Sequence, residues 1–314
     1  MKTIIVTPRS LSSPPHPLLD GFRDAGFEVV FPSPGKQPTE EELLAAIPDA
    51  VGFLAGVEPI SARVLDAAKN LRAISRNGTG IDNVDLAAAE RHGIAVLRAE
   101  GANARGVAEL TFAHMLAAVR HVVEATTEIR AGRWTRTKGI ELYGRTLALI
   151  GCGRVGKMVA ELAAAFGMTV RAYDPYPDTD FATRFGSRGD GTFAYAPFDV
   201  VVADADIVSL HSPMPADGSP LIDARAIGLM KKGVVIVNTA RYELLDADAV
   251  LGALENGTVG AVTLDAFSEE PPKDRRLVDH PRVISTPHIG GFTTESVDRA
   301  SEAAIENLLV ALTK

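Results

Sequence analysis

The stretch from Thr146 to Asp174 constrains the fold more than any other part of the sequence. An apolar run of strand length at 146–150 is followed directly by the glycine-rich sequence Gly-Cys-Gly-Arg-Val-Gly at 151–156. Apolar residues then recur at helical spacing as far as Gly167, and a second strand-like run at 168–173 ends at Asp174. The order of strand, Gly-x-Gly-x-x-Gly, helix, strand and acid is the fingerprint of a dinucleotide-binding βαβ unit.

Each glycine of this fingerprint has a physical task. Gly151 permits the tight turn, Gly153 lets the backbone approach a pyrophosphate, and Gly156 lets the helix lie close to the strand. The pyrophosphate would sit at the helix N-terminus, at Arg154 and Val155, where unpaired N–H groups and the helix dipole favour an anion. A glycine triplet alone is often only a flexible turn, so the prediction depends on the flanking strands, helix and acid.

Asp174 predicts which nicotinamide cofactor is bound. Its carboxylate can accept hydrogen bonds from both hydroxyls of the adenosine ribose, whereas a 2′-phosphate at that place would meet a like charge. The sequence therefore predicts NAD rather than NADP.

The composition limits the class of protein. The 314 residues are enough for two domains. The net charge of −8 argues against nucleic acid or an anionic membrane surface as a partner. No apolar run approaches the ~18 residues of a membrane-spanning helix, and the N-terminal run reads as a first strand. The single cysteine, Cys152, excludes an intrachain disulfide, and we expect a cytoplasmic protein.

Strand and helix patterns alternate along the chain, which predicts parallel sheets covered on both faces. The predicted strands are 4–6, 29–31, 51–54, 71–75, 94–97, 146–150, 168–173, 207–210, 234–237, 259–264 and 283–284. The predicted helices are 18–25, 40–47, 62–69, 86–92, 107–123, 155–166, 224–230, 246–254 and 294–312. We interpret 107–123, which is almost free of charge, as an interdomain helix, and we expect the last helix to pack on the first domain. Residues 132–138 and 176–197 are predicted to be polar loops.

Three side chains follow strands of the second half and are candidates for chemistry. Arg241, Asp265 and His288 each lie just beyond a predicted strand, where ligands bind in open parallel sheets. Reduction of an oxo group by a nicotinamide needs a proton donor and a cation that orients the substrate, and histidine and arginine suit these tasks. Glu270, before two prolines, is a candidate partner for His288, because a carboxylate favours the charged form of an imidazole. An arginine or glutamate at such places is also commonly a solvated surface residue.

The other histidines are weaker candidates. His114 lies on an apolar helix and fits a core histidine, while His211 follows a strand and is a candidate for lining the cofactor pocket. No pair of histidines has metal-ligand spacing, and with one cysteine in the chain we expect no metal site. The loop Asn77-Gly78-Thr79-Gly80 can converge its N–H groups on an anion, or can be a plain turn.

Five motifs together resemble the D-isomer-specific 2-hydroxyacid dehydrogenases, especially the phosphoglycerate dehydrogenase branch. They are RNGTGIDNVD from 76, GCGRVG from 151, NTAR from 238, LDAFSEEPP from 264 and STPHIGG from 285. The resemblance implies an α/β protein with two doubly wound parallel-sheet domains. It implies a flavodoxin-like substrate domain at 1–99 and 287–314 and a Rossmann NAD-binding domain at 100–286. A homodimer built around 103–123 is also implied.

The resemblance also implies roles for individual residues. Arg241 matches the arginine that orients the substrate, Glu270 the glutamate that assists the histidine, and His288 the acid/base. Asp265 matches an aspartate beside the nicotinamide amide, and the loop 77–80 matches the site of the substrate carboxylate. The implied cofactor-binding residues are Gly151, Gly153, Arg154, Val155, Gly156, Asp174, His211, Pro213, Thr239, Ala240, Asp265 and His288.

Departures from the family pattern leave the substrate open. Tyr242 and Glu243 stand where glycines often follow the arginine, and Ala55 stands where phosphoglycerate enzymes have a phosphate-binding arginine. We therefore expect an NAD-dependent dehydrogenase of a small 2-oxo or 2-hydroxy acid. The alternatives are a 3-phosphoglycerate dehydrogenase of serine synthesis and an NAD(H)-sensing protein like the family's corepressors.

Overall fold

The computed structural model describes residues 2–186 and 192–313. The chain forms two compact units: the first is Met1–Asn103 with Thr293–Lys314, and the second is Ala104–Phe292. The predicted boundaries at 99 and 287 are therefore four and six residues too early (103 − 99 and 293 − 287). Residues 99–103 stay with the first unit because Ala99 and Ala102 are buried against Ala300 of the last helix.

Parallel strands and helices alternate through both units. The strands in the described residues are β1 (Lys2–Val6), β2 (Phe27–Val30), β3 (Ala50–Ala55), β4 (Ala73–Arg76), β5 (Ala95–Arg98), β6 (Thr146–Ile150), β7 (Thr169–Tyr173), β8 (Phe193–Tyr195), β9 (Ile207–Leu210), β10 (Val234–Asn238), β11 (Val259–Leu264) and β12 (Val283–Ser285). The α-helices there are α1 (Arg9–Ser12), α2 (Asp20–Asp24), α3 (Glu40–Ala46), α4 (Ala62–Ala67), α5 (Leu86–Arg91), α6 (Ala104–Val119), α7 (Val122–Arg130), α8 (Arg154–Ala165), α9 (Thr179–Gly186), α10 (Phe198–Ala203), α11 (Ala224–Leu229), α12 (Ala247–Asn256) and α13 (Thr294–Thr313). Short 3₁₀ turns lie at Pro17–Leu19, Ile47–Asp49 and Tyr242–Leu244.

The first unit is a five-stranded parallel sheet in the order β2-β1-β3-β4-β5, which is the flavodoxin-like order. One face is covered by α3, α4 and α5 through a cluster that includes Phe53 and Leu65. The other face is covered by α2 and α13. Four apolar residues of α13 enter this second cluster, namely Ala304, Ile305, Leu308 and Leu312. The last helix therefore completes the core of the first unit, as the sequence predicts.

Local sequence signals explain where several of these helices begin. At the start of α3, the Thr39 hydroxyl accepts a hydrogen bond from the Glu42 N–H at 3.3 Å, and the Glu42 carboxylate accepts one from the Thr39 N–H at 2.8 Å. This reciprocal capping satisfies two donors that a helix leaves unpaired. Helices α4, α5, α11 and α12 are each capped by a side-chain oxygen that accepts a backbone N–H of the first turn, from Ser61, Asp85, Asp223 and Asp246 respectively.

The second unit is a seven-stranded parallel sheet in the order β12-β11-β10-β9-β6-β7-β8. This is the Rossmann order with one additional strand, and the predicted class of two doubly wound parallel sheets is confirmed. The strand order reverses between β6 and β9, so the carboxyl ends of these two strands form the switch point where ligands bind in such sheets. Gly151 follows β6 at this edge and His211 follows β9.

The apolar segment 107–123, predicted to be one helix, is two. Helix α6 ends at Val119, and His121 has a positive φ of 53°, which α-helices do not accommodate. Helix α6 is buried within the second unit, whereas no residue of α7 is buried. Among the described residues, no helix is both long enough and apolar enough to pass through a bilayer.

The segment 176–197, predicted to be a polar loop, is also more regular than expected. It contains α9 and the edge strand β8, which pairs in parallel with β7. Phe181, Phe185 and Phe193 pack against one another between these elements. Residues 187–191 of the predicted loop lie outside the described part of the chain. Helix α10, which was not predicted, begins at Phe198.

Candidate active site

Backbone atoms pack closely around the glycine turn after β6. Gly151 has a φ of +90°, and a Cβ there would lie 2.7 Å from the backbone of His211. A Cβ on Gly156 would lie 2.3 Å from the carbonyl oxygen of Gly151, so α8 approaches the turn as closely as a glycine permits. By contrast, no atom lies within 4 Å of the corresponding position on Gly153. Two glycines are thus required by packing, while the space at Gly153 remains open to a ligand.

The N-terminus of α8 has the features of an anion site. The helix begins at Arg154, its N-cap Gly153 makes no side-chain capping hydrogen bond, and its first turn contains no acid. The N–H groups of a helix N-terminus, together with the helix dipole, suit the pyrophosphate of a dinucleotide. The N–H groups of Arg154 and Val155 belong to this first turn, where the sequence predicts that the cofactor binds.

Asp174 is fixed beside the glycine turn. One carboxylate oxygen accepts a hydrogen bond from the Cys152 N–H and the other accepts one from the Tyr176 N–H, both at 2.8 Å. Each carboxylate oxygen can accept a further hydrogen bond. The acid therefore occupies a defined position at the end of β7, next to the turn, with acceptor capacity left for ribose hydroxyls.

Four more predicted cofactor residues follow the carboxyl ends of β9 and β10, namely His211, Pro213, Thr239 and Ala240. The His211 ring is 2.8 Å from the Ser209 hydroxyl, and burial lowers the pKa of His211 to about 3, so the ring is neutral. Pro213 lies two residues further along. The Thr239 hydroxyl lies 2.9 Å from that of Thr111 on α6, and the Ala240 N–H donates to the Asn238 side chain at 3.0 Å.

Arg241 is held by the turn that follows β10. The buried Asn238 side chain donates to the carbonyl oxygen of Arg241 at 2.7 Å, which closes the turn 238–241. One guanidinium nitrogen of Arg241 donates to the Ala240 carbonyl oxygen at 2.9 Å. Asn238 supports the turn that carries Arg241 and was not among the predicted site residues, although it is a polar residue at a strand end close to Arg241.

His288 and Glu270 form a direct pair. Nδ1 of His288 is 2.8 Å from a carboxylate oxygen of Glu270, which also accepts the Phe267 N–H at 3.2 Å. Because a carboxylate only accepts, Nδ1 carries the proton in this contact, and Nε2 is the nitrogen that can exchange a proton with a ligand. The His288 side chain is 54% exposed, so that exchange is sterically open.

Asp265 anchors the segment that carries His288. This aspartate is 2% exposed and lies directly after β11. Its carboxylate accepts hydrogen bonds from the Thr286 hydroxyl at 2.6 Å, the Ile289 N–H at 2.9 Å and the Gly290 N–H at 2.7 Å. His288 itself has a positive φ of 53°, an unfavourable conformation for a residue with a side chain. The implied role of Asp265 beside the nicotinamide stays a prediction.

The predicted substrate loop belongs to the first unit and follows β4. Gly78 has a φ of +155°, and its carbonyl oxygen accepts the Ala99 N–H at 3.0 Å. The Thr79 hydroxyl donates to the Asn103 side chain at 3.0 Å, and the Asn77 amide donates to Ser301 at 3.2 Å. The loop that ends at Gly80 is thus tied to both β5 and α13. Nowhere in residues 2–186 and 192–313 do three or more His, Cys, Asp or Glu residues cluster to hold a metal ion.

The sheet order, the glycine turn and the acid at the end of β7 define a dinucleotide-binding α/β protein. Residues 112–290, which are 179 of the 314 (290 − 112 + 1), match the family model described as D-isomer specific 2-hydroxyacid dehydrogenase, NAD binding domain. The chain belongs to this family. Both the predicted family and the predicted cofactor NAD are confirmed.

Three similar proteins illustrate the range of the family. The chain is 39% identical to a hydroxypyruvate reductase from Thermotoga maritima, covering 87% of this chain and 88% of that protein. It is 37% identical to D-3-phosphoglycerate dehydrogenase from Rattus norvegicus, covering 90% of this chain but 52% of that protein. The crystal structure of a glyoxylate reductase from Paecilomyes thermophila superposes with a TM-score of 0.86 at 27% identity, covering 100% of this chain and 96% of that one. The chain spans about half the length of several curated relatives that it matches.

The different surroundings of Gly153 and Gly156 give a direct test of the glycine turn. Gly156→Ala forces a Cβ against backbone, so we expect a loss of roughly 1–3 kcal/mol in the free energy of unfolding. Gly153→Ala adds a methyl in open space at a φ of −75°, so the fold is kept while NADH binding weakens about tenfold or more. Thermal unfolding and NADH titration measure the two effects.

The matched control is Gly252→Ala in α12, where no atom lies within 4 Å of the added Cβ. This variant should keep NADH binding, and its stability should be unchanged or raised by up to about 1 kcal/mol, because alanine favours a helix more than glycine does. Normal NADH affinity in Gly153→Ala would show that the pyrophosphate does not approach this turn.

Proposed function

We propose that the protein is an NAD-dependent dehydrogenase of a small 2-hydroxy acid. The observation that carries the proposal is the His288–Glu270 contact of 2.8 Å, in the same unit as the NAD-binding turn and Arg241. Arg241 and His288 lie just beyond the carboxyl ends of β10 and β12, and Glu270 lies in the loop between β11 and β12. Ligands bind at this edge of a parallel sheet. Membership of the family supports the same chemistry.

The reaction exchanges a hydride between the nicotinamide and C2 of a 2-oxo or 2-hydroxy acid. In reduction, His288 gives the proton on Nε2 to the oxygen that gains negative charge, and in oxidation it removes that proton. Glu270 accepts from Nδ1, which fixes the ring and stabilises the charged imidazolium needed for reduction. The Arg241 guanidinium binds the substrate carboxylate and polarises the oxo group, a task that suits its planar set of donors.

In this proposal, the loop from Asn77 to Gly80 is an anion-binding element of the first unit. The left-handed region at Gly78 turns the chain so that successive N–H groups can converge on an anion. For the cofactor, Asp174 favours NAD over NADP, because its carboxylate is held beside the glycine turn and would repel a 2′-phosphate.

The first unit argues against a phosphorylated substrate. Ala55 ends β3 where the family's phosphate-binding arginine would stand, and Glu58, three residues later, is 1% exposed. The Glu58 carboxylate accepts hydrogen bonds from the Thr7 hydroxyl and, at 2.9 Å, from the Gly56 N–H. Burial raises the pKa of Glu58, whereas the positive charge of Arg76 acts in the opposite direction.

Arg76 is already engaged within this network. Its guanidinium donates to the Asn77 carbonyl oxygen at 2.6 Å and to the Asn83 side chain at 3.4 Å, and Asn83 donates in turn to the Glu58 carbonyl oxygen at 2.7 Å. Burial lowers the pKa of Arg76, and the negative charge of Glu58 opposes that effect. Arg76, directly before the loop, thus already interacts with the Glu58 carboxyl group, which disfavours a second anion there.

The catalytic assignment predicts distinct effects of two substitutions. His288→Asn should lose on the order of 10²–10⁴-fold in turnover while NADH still binds, because proton transfer alone is removed. Glu270→Gln keeps an acceptor for Nδ1 but loses the charge beside the ring, so turnover should fall about tenfold while NADH still binds. The measurements are NADH oxidation and NADH titration, with the surface variant His92→Asn as control.

Near-normal turnover in His288→Asn would refute the assignment. If the unmodified protein binds NADH but turns over no 2-oxo acid, it is an NAD(H)-sensing binding protein instead. Normal turnover in Glu270→Gln would leave Glu270 as a loop residue.

The substrate argument predicts a ranking of 2-oxo acids. Hydroxypyruvate or glyoxylate should give a higher kcat/KM than 3-phosphohydroxypyruvate by about ten- to a hundredfold, the effect of one missing charge-assisted contact. The assay is NADH oxidation with each compound at equal ionic strength, and NADPH in place of NADH tests the cofactor preference. If the phosphorylated compound is preferred by tenfold or more, the inference from Ala55 and Glu58 is wrong, and Arg9→Ala, Arg76→Ala and Arg136→Ala would identify the residue that binds the phosphate.

We further propose that the protein is a cytoplasmic homodimer. Helix α7 and the segment after it expose large apolar side chains, including Val122 (51%), Ile129 (55%) and Trp134 (83%). Several exposed large apolar residues within one segment are typical of a protein–protein interface.

Ile129→Asp should therefore lower the molar mass in solution from two chains to one, as measured by light scattering. Val310→Asp, at a 43% exposed position on α13, is the control and should leave the mass unchanged.

A further inference from the structure

A buried histidine outside the predicted catalytic set contacts the His288 segment. His114 lies on α6 and is 3% exposed. Its Nε2 is 3.0 Å from the Thr286 hydroxyl, while its Nδ1 has no hydrogen-bond partner within the described residues. A buried nitrogen without a partner lowers stability compared with an apolar side chain of similar size. Stability of the core therefore does not explain a histidine at this place.

The donors and acceptors around Thr286 can be assigned. The Thr286 hydroxyl has one proton, and its oxygen lies 2.6 Å from the Asp265 carboxylate but 3.5 Å from the Leu264 carbonyl oxygen. The proton goes to the carboxylate, which is nearer and charged. The Thr286 oxygen therefore accepts from His114, whose proton is on Nε2.

The ionisation of His114 agrees with this assignment. Burial lowers the pKa of His114, and the negative charge of Asp265 opposes the shift. A neutral imidazole has a single proton, and the contact with Thr286 places it on Nε2. His114, Thr286 and Asp265 thus form a chain in which each hydrogen bond has a defined direction.

This chain ends on the segment that carries His288. Asp265 also accepts the Ile289 and Gly290 N–H groups, so the segment is bound on both sides of His288. His288 has a φ of 53° between these anchors, and such a conformation persists only where its surroundings impose it. We infer that His114 is a positioning residue that acts through Thr286 and Asp265 to hold His288 in register with Glu270. The inference rests on the proposed function, in which His288 is the acid/base.

The alternative is that His114 only fills space in the core of the second unit. The space-filling role and the positioning role of His114 predict changes in different measurements. A space-filling histidine affects the unfolding temperature, whereas a positioning histidine affects kcat and the protection of the 286–290 backbone. An amide at Gln Nε2 can replace the donor of histidine Nε2, whereas leucine cannot donate at all.

The experiment compares His114→Leu with His114→Gln. We expect His114→Leu to lower kcat about three- to tenfold, which is the effect of one hydrogen bond. The KM for NADH should not change, and the unfolding temperature should be unchanged or higher. His114→Gln should restore most of kcat. Hydrogen exchange of the Ile289 and Gly290 amides provides a readout independent of turnover, and it should become faster in His114→Leu but not in His114→Gln.

A second variant tests whether the effect passes through Thr286. Thr286→Val removes the hydroxyl between His114 and Asp265, so the double variant with His114→Leu should be no worse in kcat than Thr286→Val alone. Additive losses would show that His114 acts elsewhere.

Other outcomes separate this inference from the proposed function. Unchanged amide exchange in His114→Leu, or a lower unfolding temperature that Gln also fails to restore, would overturn the positioning role. Faster exchange with full turnover would overturn the link to catalysis. The proposed function is tested separately by His288→Asn, which removes the acid/base and leaves the His114 chain in place.

Discussion

The buried carboxylate of Asp265 is the interaction on which the candidate active site depends. A charge that is 2% exposed must be matched by hydrogen bonds, and its three donors, at Thr286, Ile289 and Gly290, come from one five-residue segment. Moving that segment would leave a buried charge partly unsatisfied, so one backbone conformation is strongly preferred. His288 is carried in that conformation, and its contact with Glu270 follows from it.

The NAD-binding turn and the candidate catalytic set consist of different kinds of chemical group. The NAD-binding turn is made of backbone groups, and its close contacts at Gly151 and Gly156 restrict the side chains allowed there. The candidate catalytic set is made of side chains whose positions depend on neighbours such as Asn238 and Thr286. A glycine turn can therefore be recognised in a sequence, whereas the supporting contacts of a histidine or arginine cannot.

The sequence predicted the fold well where its signals are local. Apolar runs, capping residues and glycines located most strands and helices, and the glycine fingerprint located the NAD-binding turn. The predictions were wrong where tertiary contacts decide. Apolar residues lie on both sides of His121, so the break between α6 and α7 was not visible. Strand β8 forms because it pairs with β7, and Phe193 within it packs against Phe181 and Phe185. The His114–Thr286 contact joins residues 172 positions apart, and no pattern in the sequence connects them.

The chain order of the first unit has a consequence for synthesis. Its sheet is complete by Arg98, but one face, which α2 covers only in part, is not fully covered until α13 supplies Ala304, Ile305, Leu308 and Leu312. Residues 104–292 of the second unit all leave the ribosome before that helix does. The whole sequence of the NAD-binding unit is thus available for folding first. Until α13 is synthesised, the five-stranded sheet of the first unit has part of an apolar face exposed.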